Sequence, residues 1–143
     1  MVIRNEKTFL ALVDNLPVVI DYLDQILEAA NCPMKVRIAL DVAVEEMFVN
    51  VASYAYPDGN ADKKGEVTII VSIVDDGLGC EVSLIDNGIP YNPLEKPDPD
   101  VTLSAEEREI GGLGIYMVKN SMDNVKYSYE NNSNIFTMYK RFE

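Results

Sequence analysis

The sequence has no histidine and only two cysteines, Cys32 and Cys80, which stand far apart and outside any C-x-x-C spacing. A zinc site therefore has no ligand set to build on. The usual Ser-His-Asp and Cys-His catalytic arrangements are excluded as well. Positive charge is scarce: 12 Lys and Arg stand against 24 Asp and Glu, a formal net charge of −12. A surface that tracks nucleic-acid phosphates needs the opposite sign. The acidity serves solubility or, in a sharper reading, a basic protein partner. No run reaches the ~18 apolar residues of a membrane span, and no apolar stretch follows basic residues at the N-terminus. The chain is read as cytoplasmic and reduced, with no nucleic-acid or membrane partner. In that compartment the sequon-like "NNS" at Asn131 carries no meaning.

What is there is apolar. Of 143 residues, 48% are hydrophobic, enough for one domain over 1–143 with a real core. Residues 2–13, ending in "TFLALV", predict a short strand. Asp14 and Asn15 offer an N-cap, and Pro17 sits in the first turn, where its missing N–H costs little. Apolar residues spaced by three and four then carry a helix to about Ala30. A second helix runs from near Pro33 to about Tyr56, and "YPDGNADKKG" reads as a loop. "EVTIIVSIV" and "CEVSLID" are β-branched, alternating strands of a hairpin turned at "DDGLG". Residues 87–110 hold four prolines and many acids, which predicts a long loop of the functional kind, with Ser104 and Glu107 capping a short helix inside it. "GGLG" opens a helix through about Met122. "VKYSYE" and "NIFTMYKRF" finish as strands joined by an Asn-rich turn. Helices in blocks and strands in hairpins predict an α+β fold: a two-layer α/β sandwich with a mixed, mostly antiparallel sheet and helices on one face.

The second helix carries polar residues in a greasy setting, "ALDVAVEEMFVNVASYAY". At about 100° per residue, Glu46, Asn50 and Ser53 share a stripe ~60° wide, while Asp41 and Glu45 fall on another. The second pair is read as a solvated edge. The first is either solvent-facing too or a site: a carboxylate can act as general base, and an amide oxygen is a hard ligand suited to Mg²⁺. "DNGIP", Asp86 to Pro90, is either a turn or a fixed carboxylate at a sheet end, able to accept a hydrogen bond from a purine amine with Gly88 beside the ring. In "GGLGIYMVK" three glycines precede an apolar helix. They form either a hinge or a helix N-terminus open to phosphate. The spacing matches neither the P-loop nor the Rossmann fingerprint.

Taken in order, Glu46-x-x-x-Asn50, Asp86-x-Gly88-x-Pro90 and Gly111-Gly112-Leu113-Gly114 resemble the N, G1 and G2 boxes of the gyrase, chaperone, histidine-kinase and mismatch-repair ATPases (the Bergerat, or GHKL, superfamily). "NVASYAY", "GIPYNP" and "GGLGIYMVK" look like its anti-sigma-factor serine/threonine kinase branch. The resemblance covers about residue 10 to the end. It implies ATP and Mg²⁺ as cofactors, Asn50 on the metal, Glu46 as catalytic base, Asp86 on the adenine amine and Gly88 beside the ring. It also implies phosphate binding by Gly111, Gly112, Leu113 and Gly114, and an ATP lid at about 91–110. Ser53, Tyr54 and Thr137 are assigned to the nucleotide site with them. Tyr54 stands where the branch often has His, and Ser133 lies in the turn where it usually has Gly. The implied partners are a STAS-type anti-anti-sigma protein, phosphorylated on serine, and a sigma factor that the kinase, often a homodimer, sequesters. Two alternatives stay open: a non-catalytic nucleotide-binding module that gates a protein partner, and an acidic interaction protein with a decayed pocket.

Overall fold

A computed structural model of the protein describes residues 2–95 and 112–143. The expected Ser104/Glu107 cap, the lid beyond residue 95 and Gly111 lie outside the described residues. Five strands and three helices make up the rest: β1 (Ile3–Leu10), α1 (Leu16–Ala29), α2 (Met34–Tyr54), β2 (Glu66–Val74), β3 (Gly79–Asp86), α3 (Gly112–Ser121), β4 (Asn124–Glu130) and β5 (Ser133–Arg141). The strands form one sheet in the order β1-β2-β3-β5-β4. Every neighbouring pair is antiparallel, so the sheet is antiparallel throughout rather than mixed.

Alternation decides which side chains enter the core. Val67, Ile69, Val71 and Ile73 of β2, and Cys80, Val82 and Leu84 of β3, are buried on one face, opposite neighbours fixed by register. The helices lie on that face. Helix α1 buries Val19, Leu23 and Leu27, one turn apart. Helix α2 buries eight residues from Val36 to Ala52, a wider stripe than sheet contact alone requires, because α1 and α3 flank it. Phe48, Leu23, Leu27 and Leu40 are fully buried between helices and sheet.

The predicted N-terminal strand ends early, at Leu10, and a single 3-10 turn over Val13–Asn15 follows. Asn15 does not cap α1. Its Nδ2 donates to the Leu10 carbonyl at 3.0 Å instead, tying the strand end to the helix start. Pro17 takes its expected place in the first turn of α1. The 57–65 loop is closed by Asn60, which is 1% exposed and left-handed, with φ 64°. Its Nδ2 donates to the Ala11 and Gly65 carbonyls, and its Oδ1 accepts from Gly65 N–H. The β4–β5 turn is made by Asn131 and Asn132, both at positive φ, a conformation asparagine tolerates and a two-residue hairpin demands. Among the described residues no helix is long and apolar enough to cross a membrane.

Candidate functional site

Register brings Asp86, the last residue of β3, directly opposite Asn134 near the start of β5. Both side chains are buried, at the end of the sheet beneath the C-terminal half of α2. A cavity opens there, walled by Met47, Asn50 and Val51 of α2, by Leu84 and Asp86 of β3, and by Phe136 of β5. Its walls are chiefly apolar, with Asn50, Asp86 and Asn134 as the polar groups. The cavity is partly open, with a volume of about 40 Å³, and Tyr54, Ile89 and Tyr91 at its rim are exposed.

Asp86 is held firmly. Its Oδ1 accepts from Gly88 N–H at 2.9 Å and from Asn134 Nδ2 at 3.0 Å. Burial pushes its carboxyl above the usual carboxylate range, and these two donors pull it back. Asn134 also donates to the Ile89 carbonyl at 2.9 Å, and its Oδ1 accepts from Tyr91 N–H at 3.1 Å and from the Tyr127 hydroxyl. The loop after β3 is pinned at two further points. The Tyr56 hydroxyl accepts from Asn87 N–H at 3.1 Å and donates to the Glu66 carbonyl, and the Ser133 hydroxyl donates to Asn87 Oδ1 at 2.7 Å. Ser133, the first residue of β5, thus fastens the "DNGIP" loop.

The glycines fit for reasons the sequence did not reveal. A Cβ on Gly88 would lie 2.2 Å from the Ala55 carbonyl oxygen; the loop runs against the end of α2, and Ile89 N–H donates to that same carbonyl at 2.9 Å. A Cβ on Gly114 would lie 2.2 Å from Glu46 Oε2. The first turn of α3 therefore sits on the Glu46 carboxylate, one helical turn along α2 from Asn50.

The structure brings Asn50, Tyr54 and Asp86 into one cavity, with Glu46, Gly112 and Gly114 adjoining it across α2 and α3. Leu113 is exposed on α3. Ser53, Gly88 and Leu113, like Glu46 and Gly114, are not among the residues lining the cavity. Thr137 lies on the other face of the sheet, its hydroxyl 2.9 Å from that of Ser83. The reason is strand alternation: Phe136 and Met138 point inward, so Thr137 between them points away. The same alternation marks Asn134 as inward, and sequence reading passed over it. Tyr127 and Phe136 carry no sequence signal that distinguishes them from ordinary strand aromatics.

The supposed solvated edge of α2 also divides. Glu45 is exposed, as expected. Asp41 is not: its Oδ1 is buried without a hydrogen-bond partner. Its carboxyl is raised to about 7 by burial, then by a hydrogen bond and charge from Asp24. Asp24 in turn lies 3.2 Å from the Arg37 guanidinium. The neighbouring helix α1 covers this side of α2, which a single-helix projection cannot show.

The model of the histidine kinase-like ATPase domain family matches residues 9–140. The chain is similar to the serine-protein kinase RsbW of Listeria monocytogenes, 33% identical over 95 residues, which are 64% of this chain and 57% of that one. RsbW of Bacillus velezensis is 32% identical over 92 residues, 61% of this chain and 54% of that one. The match thus spans just over half the length of these relatives. Among solved structures, the RsbU and RsbW domains of a Mycobacterium tuberculosis protein superpose with a TM-score of 0.66 at 15% identity, covering 97% of this chain and 32% of that one. The SiaB–SiaC complex of Pseudomonas aeruginosa gives 0.59 at 14% identity, over 95% and 88%. At such identities the structures speak for the fold, which is the expected sandwich. The family match runs from β1 to β5 and takes in α2, the Asp86 loop and α3: the chain belongs to the histidine kinase-like ATPase domain family.

Proposed function

We propose that the protein is an ATP- and Mg²⁺-dependent serine/threonine kinase of the anti-sigma regulatory type. It would phosphorylate a serine of an anti-anti-sigma partner and, as a dimer, bind a sigma factor. The observation that supports this reading is that Asp86, Asn50 and Glu46 lie side by side on α2 and its neighbours. Asp86 would offer a fixed acceptor in the cavity, and Asn50 lines the same cavity from α2. Glu46 follows one turn along, against the first turn of α3. That order matches base, phosphates and reacting group of a nucleoside triphosphate laid along the helix.

Asn50 suits Mg²⁺: its amide oxygen is a hard donor, it faces the cavity, and its side chain makes no hydrogen bond to another described residue. Among the described residues no cluster of three or more acidic, Cys or His side chains forms an all-protein metal cage. Mg²⁺ commonly takes one or two protein ligands and fills the rest with waters and substrate phosphates. When bound, it would neutralise phosphate charge that this acidic chain would otherwise repel. Glu46 would accept the proton of the acceptor serine as its oxygen bonds to the γ-phosphorus and the bond to the ADP oxygen breaks. The start of α3 would donate N–H groups to the phosphates. The relatives' name, serine-protein kinase, supports the transfer step.

The test is transfer of labelled γ-phosphate to a cognate acceptor protein. Glu46→Gln should lose transfer by about 100-fold or more, the size of a general-base contribution, while keeping ATP binding. Undiminished transfer would remove Glu46 from its role. ATP binding with no transfer by the unaltered protein would favour the non-catalytic regulatory module.

A further inference from the structure

The hydrogen bonds around Asp86 specify more than its position. Asn134 is 7% exposed, and both ends of its amide are assigned by groups that can play one part only. Tyr91 N–H can only donate, so the atom it meets is the oxygen; the Ile89 carbonyl can only accept, so the atom it meets is the nitrogen. The donor end therefore faces Asp86. With Gly88 N–H and Asn134 Nδ2 both on Oδ1, the lone pairs of that oxygen are filled, and Oδ2 is left without a partner among the described residues. A proton arriving at this carboxyl could settle only on Oδ2.

The consequence concerns base choice. With Oδ2 bare, Asp86 accepts a hydrogen bond and matches the exocyclic amine of adenine. With a proton on Oδ2, it donates and matches the 6-oxo group of hypoxanthine or guanine. We propose that Asn134 is the positioning residue that keeps Asp86 an acceptor, and that through it the site selects adenine over 6-oxopurine nucleotides. The proposal rests on the nucleotide-binding reading given above. It adds a residue whose effect on base choice runs through Asp86.

The other titratable groups facing Asp86 are few. Tyr56, beyond the end of α2, and Tyr127 of β4 face it, both raised by burial; neither ring titrates in the acid range. Glu66 stands behind Tyr56 and Glu95 behind Tyr127, both exposed. From α2 itself the cavity receives only Met47, Asn50, Val51 and Tyr54. Among the described residues, no cation lines the cavity beside Asp86.

The experiment is titration of ADP and inosine diphosphate into the protein at several pH values from about 5.5 to 8, for the unaltered chain, Asn134→Asp and Asn134→Ala, each with its melting temperature. The unaltered chain should prefer ADP by about 10- to 100-fold, the worth of one or two hydrogen bonds left unmade in a buried site. Asn134→Asp keeps the shape and sets a second carboxyl against Oδ1, so the pair would share a proton. Its loss of ADP affinity on acidification should begin at least one pH unit higher, and its ADP preference should fall to within about threefold at the acid end. Asn134→Ala should shift the same limb in the same direction by less. A merely structural Asn134 would weaken both nucleotides alike at every pH. Folded variants with the unaltered pH limb and the unaltered ADP preference would overturn the proposal while nucleotide binding stands. No binding of either nucleotide by the unaltered chain would overturn both.

Discussion

Gly88 and Gly114 look alike in the sequence, each a small residue in a short motif, yet they are constrained by different things. At Gly88 the obstacle to any side chain is the backbone carbonyl of Ala55, which cannot move without unwinding the end of α2. Gly88→Ala should therefore cost about 1–3 kcal/mol of stability, the range of an overpacked site, and lower the melting temperature. At Gly114 the obstacle is the far end of the Glu46 side chain, which can swing aside. Gly114→Ala should leave melting unchanged or raise it, since alanine favours a helix over glycine by up to about 1 kcal/mol. It should nonetheless depress phosphotransfer, because the displaced group is the proposed base. Equal losses of stability in the two variants would show that Glu46 is rigidly held and not free to yield. The motifs that contain these glycines were visible in the sequence because glycine before or within an apolar element is locally unfavourable. Their partners were not, because Ala55 and Glu46 reach them only through the fold.

The pairing of α1 with α2 carries a pH dependence of its own. Asp41 is raised to about 7, whereas an aspartate in the unfolded chain titrates near ~4. Between those values the folded form keeps a proton that the unfolded form has lost, so stability falls as pH rises through the window. The contribution is full below about pH 4 and gone above about pH 7, and the proton is best regarded as shared by Asp41 and Asp24. Asp41→Asn removes this exchange. In urea unfolding, the variant should gain on the unaltered protein as pH goes from about 5 to about 8; a difference that stays constant across that range would contradict the assignment. Helix periodicity placed α1 and α2 within a residue or two, and correctly separated Glu46 from Glu45. It failed at Asp41 because a projection of one helix cannot tell water from a neighbouring helix. Strand alternation, applied to β5, would have replaced Thr137 by Asn134; the choice of Thr137 followed the resemblance instead of the pleat.

At the scale of the molecule the sandwich was legible because local signals agree: β-branched alternation in β2 and β3, asparagines at the β4–β5 turn, and three- and four-residue apolar spacing in the helices. The strand order β1-β2-β3-β5-β4 was not, since nothing local states which hairpin docks beside which. That order is what sets β5 beside β3 and so places Asn134 against Asp86, where the cavity closes. In the proposed function, the α2 face bearing Asn50, and not the edge bearing Glu45, forms the floor of a nucleotide site. Calorimetric titration of ATP with Mg²⁺ tests it most directly. The unaltered chain and Glu45→Gln should bind with the same affinity, and Asn50→Ala should show no binding while melting normally. Binding kept by Asn50→Ala and lost by Glu45→Gln, or absent from the unaltered chain, would contradict it.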